Sequence, residues 1–344
     1  MEGSKNATIV DVAKKAGVSV ATVSRVLNGN YSVREATKKR VEEAIAVLAY
    51  VPNLQARELN MQKSSTIGVV VPDLFNTFFS LVMDGIEERL REDGYSLLLN
   101  FAKNDPHQEM ACIEALVSRN VSGIIVISPN TTHIRESFYR KLSLRLPLVF
   151  INGYRSIPHI SYVGNNERKG THTALQYLMQ LGHREILFVR GAASDSYRVK
   201  EESYRKHMAA RGAEDAVCVI DIGEGNSRKT IDLAESKMVE SLVTYKPTAV
   251  FCCNDLMAIG TLRAAKKVGL HVPRDLSVMG FDNILAARLV EPALTTMDQH
   301  MTLLGKHAAK ALLAVIQSGK TQHILLDNTL VVRASTGPAP KRLV

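Results

Sequence analysis

The sequence has little cysteine and no long apolar run, and both absences restrict what the protein can be. Only four of its 344 residues are cysteine. They fit neither a CxxC pattern nor a mixed Cys/His spacing, so we interpret them as buried free thiols rather than metal ligands. No uninterrupted apolar run approaches the roughly 18 residues of a membrane span, and the N-terminal residues lack the apolar core of a signal peptide. These absences predict a cytoplasmic protein with no cofactor, no metal and no membrane partner.

Common catalytic motifs are absent as well. There is no GxSxG, no HExxH and no GxGxxG that follows a strand pattern. Residues 314–321 fit a relaxed phosphate-loop pattern, but they follow a helical pattern, and Gly319 is placed as the C-cap of that helix. His172, His183 and His207 lack ligand spacing, and we interpret them as surface residues. The sequence therefore predicts that the protein is not an enzyme.

Positive charge is present in excess. The net charge at pH 7 is +9, and the pI calculated from the sequence is about 9.3. Residues 1–63 hold ten basic and six acidic side chains, a net charge of +4 in under a fifth of the chain. This excess suits a polyanionic partner without establishing one. With 46% hydrophobic residues, the chain can fill two or three structural units.

Residues 8–28 predict two short helices with a tight turn between them. Thr8 is a good N-cap, Gly17 ends the first helix, and Ser19 caps the second. The second helix packs one face and leaves a slim, nearly uncharged face outward, which fits a major groove about 12 Å wide. An αα-hairpin at a domain edge is the alternative interpretation of this pattern.

The predicted contacts to double-stranded DNA lie on the outward face and at the helix caps. They are Thr8, Ser19, Val20, Ala21, Thr22, Ser24, Arg25 and Asn28. Arg25 is the side chain most able to hydrogen-bond a guanine edge, while Val20 and Ala21 offer apolar contact, for example to thymine methyl groups. Ser32 can cap a third helix, whose apolar residues recur at helical spacing and close a small core.

The periodicity changes at Ser65, from which short apolar runs alternate with amphipathic helices. The runs are 66–72, 95–101, 123–128, 146–151, 185–190, 217–222, 248–253 and 276–281. This alternation is typical of an α/β fold with parallel sheets covered on both faces by helices. The number of runs predicts two doubly wound sheets, divided near Val163.

The chain resembles the LacI/GalR family of bacterial transcription regulators. The resemblance rests on the helix-turn-helix residues Ile9, Asp11, Val12, Ala13, Ala16, Gly17, Val18, Ser19, Thr22, Val23, Ser24, Arg25, Val26, Leu27 and Asn28, and it continues to near the C-terminus. It implies a helix-turn-helix head, a hinge helix and a core of two subdomains like that of periplasmic binding proteins. It also implies a homodimer that binds operator DNA under the control of a small sugar-like effector.

Domain limits follow from this resemblance. The head is assigned to residues 1–50, the hinge helix and linker to 51–64, the N-terminal core subdomain to 65–162 and 293–321, and the C-terminal core subdomain to 163–292 and 322–335. In the family, paired hinge helices push a leucine between base steps in the minor groove, and Leu59 matches that position. The tail after Val332 has no heptads, which favours a dimer over a tetramer.

The effector site implied by the resemblance lies between the two core subdomains, beyond the carboxyl ends of the strands. Its predicted residues are Asp73, Asn76, Phe78, Arg198, Lys200, Asn254, Asp282 and Gln299. For Phe78, stacking on a ligand and packing in the core are both open, and Asp255 is interpreted as a helix N-cap.

Two departures from the family pattern shift the predicted site toward positive charge. Lys200 replaces a common arginine, and the run Val163-Gly164-Asn165-Asn166 has a neutral residue where the family's VxxDN pattern has an aspartate. We therefore expect an anionic effector, such as a sugar acid or a sugar phosphate. The alternatives to a DNA-binding regulator are a solute-binding protein and an α/β enzyme with a similar core.

Overall fold

The computed structural model describes residues 7–28, 33–51, 64–131, 133–192, 194–212 and 217–341. They belong to two compact units, Met1–Ser64 and Ser65–Val344, which we call the head and the core. The predicted hinge helix, including Leu59, and the predicted cap Ser32 lie outside the described residues. No helix in the described part of the chain is long and apolar enough to cross a lipid bilayer.

Helices and strands alternate through most of the core. The helices are α1 (Ile9–Ala16), α2 (Val20–Asn28), α3 (Glu35–Val47), α4 (Thr77–Glu92), α5 (Pro106–Ser118), α6 (Glu136–Ser143), α7 (Glu167–Gln180), α8 (Asp195–Ala209), α9 (Thr230–Tyr245), α10 (Asp255–Lys267), α11 (Leu285–Leu289) and α12 (Met301–Ser318). The strands are β1 (Thr66–Val71), β2 (Ser96–Phe101), β3 (Gly123–Ile127), β4 (Leu148–Ile151), β5 (Ile160–Asn165), β6 (Ile186–Arg190), β7 (Cys218–Asp221), β8 (Ala249–Cys252), β9 (Ser277–Met279), β10 (Thr296–Asp298), β11 (His323–Leu326) and β12 (Thr329–Val331).

The head confirms the predicted pair of helices and the turn between them. Thr8 and Asp11 form a capping box at the start of α1, and Gly17 ends the helix in the left-handed conformation with φ of 64°. The three helices share a small apolar core in which Val12, Val23 and Val41 are completely buried. The third helix begins at Glu35, with Arg34 at its N-cap.

The core contains the two predicted parallel sheets. The first sheet has the strand order β11-β5-β4-β3-β1-β2, and the second has the order β7-β6-β8-β9. All the pairings within these two sheets are parallel. The chain returns to the first sheet through α12, which packs in the same apolar cluster as α4, and β12 then pairs antiparallel with β10. Gly319 is the left-handed C-cap of α12, so residues 314–321 are not a phosphate loop.

Two strands of the first sheet, β5 and β11, were not among the apolar runs predicted from the sequence. β5 is buried throughout, but Ser161, Tyr162, Gly164 and Asn165 interrupt its apolar pattern. β11 is a short edge strand, with every second residue exposed. Both strands belong to the first sheet. The boundary predicted between residues 162 and 163 therefore cuts through β5, and residues 323–326 lie with the N-terminal core subdomain.

Two of the histidines predicted at the surface are buried. His183 is completely buried, and its ring nitrogens lie 3.1 Å from Thr248 Oγ1 and 3.0 Å from Ser277 Oγ. His207 is 4% exposed, and burial lowers its pKa to about 4. The surface interpretation is wrong for both, because their partners are distant in sequence and a linear pattern does not reveal them. Cys252 and Cys253 are buried free thiols, as predicted, whereas Cys112 and Cys218 are half-buried.

Helices α4 and α12 cross at two glycines, and this close approach requires the absence of a side chain. A Cβ at Gly85 would lie 2.0 Å from the carbonyl oxygen of Thr302, and one at Gly305 would lie 2.0 Å from that of Val82. We expect Gly85→Ala to force the helices apart and to lower the free energy of unfolding by about 1–3 kcal/mol. Urea denaturation followed by circular dichroism measures this. Ser80→Ala on the same helix is the control, with an expected change within about 0.5 kcal/mol. An equally small effect of Gly85→Ala would contradict the packing.

Candidate DNA-contact helix and effector cavity

The outward face of α2 carries most of the residues predicted to contact DNA. Val20 is 41% exposed, Ala21 and Arg25 are also exposed, and Thr22 and Ser24 are half-buried. Val23 on the opposite face is completely buried. The helix ends at Asn28. Its outward face is therefore small and carries one cationic side chain, as the helical wheel predicts.

The two predicted caps hold the ends of the head helices. The Thr8 hydroxyl donates to Asp11 Oδ2 at 2.7 Å, and Ser19 Oγ accepts the backbone N–H of Thr22 at 3.2 Å. Both residues are exposed. Thr8 and Ser19 therefore stabilise helix starts in the free head, and their predicted role in contacting DNA stays a prediction.

A cavity of about 610 Å³ lies in the core at the carboxyl ends of the strands. Its walls come from loops that follow β1–β4 of the first sheet, from the start of α7, and from the loops that follow all four strands of the second sheet. Two parallel sheets whose strand ends face the same space form a cleft of the kind in which doubly wound folds bind ligands.

Seven of the eight predicted effector-site residues line this cavity. They are Asp73, Asn76, Phe78, Lys200, Asn254, Asp282 and Gln299. Phe78 is only 5% exposed and packs edge-on against Phe79. It therefore packs in the core as well as lining the cavity. Arg198 does not line the cavity. Its side chain is 54% exposed and pairs with Asp195 and Glu202 on its own helix, and we omit it from the site.

The two asparagines predicted for the site are helix N-caps with hydrogen-bonded side-chain amides. Asn76 Oδ1 accepts the N–H of Phe78 at 3.0 Å, and Asn254 Oδ1 accepts that of Met257 at 2.9 Å. The Nδ2 of Asn254 donates to Gly225 O at 2.6 Å. The N-cap of α10 is thus Asn254 and not Asp255, contrary to the prediction. The two amides hold the cavity wall in place.

Asp282, which lines the cavity, and Asp255, which does not, are neighbouring buried carboxyl groups. Asp255 accepts hydrogen bonds from Thr296 Oγ1 at 2.5 Å and from the N–H of Ile284 at 2.9 Å. Asp282 accepts a hydrogen bond of 2.5 Å from Gln299 Nε2. Burial, and then the neighbouring Asp255 carboxylate, raise the pKa of Asp282. Gln299 Oε1 has no hydrogen-bond partner among the described residues, so this buried acceptor lines the cavity unsatisfied.

Lys200 is buried in the wall of the cavity, and its ammonium group is held by the chain itself. The side chain is 2% exposed, and Nζ donates to Cys253 O at 3.1 Å. Nζ also lies 3.4 Å from Glu167 Oε1 and 4.0 Å from the centre of the Phe281 ring. The lysine is thus partnered on several sides by protein groups.

The cavity lining carries more acidic than basic side chains. The carboxyl groups are those of Asp73, Glu167, Asp195, Glu224 and Asp282, and the ammonium groups are those of Lys103 and Lys200. The prediction of a positively charged site is therefore wrong for the described lining. The prediction failed because the Glu167 carboxylate pairs with Lys200 and compensates its positive charge. This contact between two helices was not apparent from the sequence pattern.

Three of the lining residues that the sequence did not single out make contacts that shape the cavity wall. Glu167 is the first residue of α7 and reads in the sequence as an ordinary acidic residue at a helix start. Tyr197 is 5% exposed, and its hydroxyl accepts a hydrogen bond of 3.2 Å from Asn254 Nδ2. Asn226 accepts one of 2.9 Å from Asn76 Nδ2 and so joins the walls of the two sheets.

A helix-turn-helix head combined with a two-sheet core that encloses a polar cavity defines the class of ligand-binding DNA regulators. Comparisons with known proteins agree with this class. Residues 8–53 match the model of bacterial regulatory proteins of the lacI family, and residues 175–336 match that of the periplasmic binding protein-like domain.

Full-length relatives extend the match. The chain is 34% identical over 309 residues to catabolite control protein A of Priestia megaterium, covering 89% of this chain and 92% of the relative. It is 34% identical over 315 residues to the transcriptional repressor PurR of Aliivibrio salmonicida, covering 90% and 92%. The chain belongs to the lacI family of bacterial regulatory proteins. It is a DNA-binding transcription regulator and not an enzyme.

Solved structures show the same architecture. A lac repressor dimer bound to operator and the anti-inducer ONPF superimposes with a TM-score of 0.86 at 28% identity, covering 97% of this chain and all of that one. The transcriptional regulator CelR in complex with cellobiose gives a TM-score of 0.69 at 28% identity, covering 96% and 99%. The likeness spans both the head and the core.

Proposed function

We propose that this chain is a cytoplasmic homodimer that represses transcription from a near-palindromic operator under the control of a sugar-like effector in the core cavity. The observation that carries this proposal is the polar cavity at the carboxyl ends of two sheets in a chain that also has a helix-turn-helix head. A dimer supplies two heads to two half-sites, which compensates for the few contacts that one short helix can make.

The DNA part of the proposal rests on the exposed face of α2. Arg25 offers hydrogen bonds to a guanine edge, and the exposed Val20 and Ala21 offer apolar contact. The lac repressor, which superimposes over 97% of this chain, was solved as a dimer bound to operator. Leu59 is proposed as the minor-groove wedge from its position in the sequence.

The effector part rests on the hydrogen-bonding character of the cavity. Its wall presents carboxylates and the unsatisfied acceptor Gln299 Oε1, and these groups require hydrogen-bond donors. A neutral sugar supplies several hydroxyl donors without adding charge. CelR, a structural neighbour, was solved with cellobiose. We therefore replace the anionic effector expected from the sequence with a neutral, polyhydroxylated one.

Coupling between cavity and operator requires that the effector bind two conformations of the protein unequally. The cavity provides a place for this, because both sheets contribute to its wall. The Thr131 hydroxyl, which follows the first sheet's β3, donates to Asp195 Oδ2 at 2.6 Å, and Asp195 follows the second sheet's β6. A ligand that bridges the same two walls favours one spacing of the sheets over others.

The proposed function is tested by selection of operator DNA, followed by titration with sugars. The full chain is used to enrich random duplexes, and we expect a near-palindromic sequence to emerge. Neutral mono- and disaccharides are then added to the complex in an electrophoretic shift assay, and we expect at least one to change operator affinity by about 5- to 150-fold. Absence of an enriched palindrome would refute the operator proposal. An enriched palindrome insensitive to every sugar would refute only the effector class.

A further inference from the structure

We propose that Glu167 makes the cavity selective for neutral effectors. Its carboxylate pairs with the buried ammonium group of Lys200, so that anionic effectors are excluded. This inference rests on the proposed function because it concerns the effector site, and it assigns a specificity-determining role to a residue of this chain. Glu167 and Lys200 both line the cavity, and their side chains are 1% and 2% exposed.

The ammonium group of Lys200 is the only buried cation in the described lining of the cavity. The second lining lysine, Lys103, is exposed, and His133 is exposed as well. A carboxylate or phosphate deep in the cavity would therefore need Lys200 as its counter-ion. That position is already held by Glu167 Oε1, 3.4 Å from Nζ.

The Glu167 carboxylate is held through its Oε1 atom, which contacts both Ser196 and Lys200. Ser196 Oγ donates to Oε1 at 2.7 Å. The phenol of Tyr154 lies beside the same carboxylate, and burial together with Glu167 raises the pKa of Tyr154 well above its usual value. Glu167 is also the first residue of α7, where the helix dipole favours negative charge. An incoming anion would have to displace a carboxylate with these contacts or lie next to it.

Like charges at close range in a low-dielectric site repel strongly, so neither route favours an anion. A neutral hydroxyl meets no such repulsion, and it can donate to a lining carboxylate. The pair of Glu167 and Lys200 therefore separates neutral sugars from their acids and phosphates. The chain supplies from its own sequence the carboxylate that an anionic ligand would bring.

The test compares wild type with Glu167→Gln, which keeps the side-chain size and removes the charge. The probes are D-glucuronate, D-galacturonate and inorganic phosphate, added at constant ionic strength against chloride and measured by isothermal titration calorimetry and thermal shift on the full chain. We expect wild type to show no anion-specific binding. We expect Glu167→Gln to bind at least one probe about tenfold or more tightly, because the ammonium group of Lys200 is released.

Two control variants separate this role from a general change of charge. Glu202→Gln removes a carboxylate that joins the same two helices through Arg168 on the surface, and it should leave anion binding as in wild type. Glu167→Gln combined with Lys200→Met should lose the anion binding that the single variant gains. Anion binding by wild type, no gain in Glu167→Gln, or a gain that persists in the double variant would each overturn the inference.

Wild type also provides a test if Glu167→Gln does not fold. Stabilisation of wild type by any of the three anions beyond that by chloride overturns the inference, and its absence supports it. These results do not depend on operator selection, so failure of the exclusion leaves the proposed regulator function standing. Failure to select an operator, in turn, does not affect the anion measurements.

Discussion

Replacing Lys200 by methionine is expected to lower the free energy of unfolding by about 3–5 kcal/mol, because it leaves the Glu167 carboxylate buried without its counter-ion. The two side chains are 2% and 1% exposed, so each charge is stabilised mainly by protein groups. The hydrogen bond from Nζ to Cys253 O is lost as well. Chemical denaturation of the full chain, followed by circular dichroism, measures the loss.

A double variant and a surface pair serve as controls for this expectation. Lys200→Met together with Glu167→Gln removes both charges, and it should recover much of the loss, since a neutral replacement of a buried pair is often tolerated. Arg168→Met breaks an exposed ion pair with Glu202 between the same two helices and should cost no more than about 1 kcal/mol. A loss in Lys200→Met as small as that in Arg168→Met would show that the buried pair does not stabilise the core.

The sequence was sufficient for features that depend on local pattern. The capping box of Thr8 and Asp11 and the left-handed Gly17 are set by residue type at fixed spacing, and the structure has both. The parallel strands with continuous apolar runs were also predicted. β5 was not, because Ser161 and Gly164 interrupt its pattern, and its side chains are buried in the apolar clusters on the two faces of the sheet.

The cavity was predictable in position and only partly predictable in chemistry. Strand ends are recognisable in a parallel fold, so Asn254 and Asp282 were placed correctly at its wall. The charge balance depends on Glu167 meeting Lys200 across two helices, a contact between residues 33 positions apart that no local pattern reveals.

The choice between Lys200 and Arg198 had a local signal. Residues two positions apart on a helix are about 200° apart around its axis, so these two side chains cannot face the same way. Lys200 precedes Tyr204 by four positions and shares its face, and Tyr204 is completely buried. Arg198, on the other side of α8, is exposed to solvent. Helical periodicity therefore favoured Lys200 as the cavity residue.

Operator recognition should depend most strongly on Arg25. We expect Arg25→Ala to weaken operator binding by about 1–3 kcal/mol per half-site, or roughly 5- to 150-fold, and to relax the preference at one base position in each half-site. The side chain is exposed on the outward face of α2, and it is the one cation on that helix. Binding to the selected operator and to its single-base variants, at fixed salt, measures both effects.

The appropriate comparison removes an arginine with the same change in net charge from outside the head. Arg145→Ala, at an exposed position in the core, should leave affinity and base preference unchanged. Lys39→Ala, on the exposed side of α3, tests phosphate contact instead, and such a contact would weaken binding to all sequences about equally and reduce the salt dependence. If Arg25→Ala behaved like either of these variants, α2 would not be the helix that reads the bases, because loss of a base contact must change the preference at particular positions.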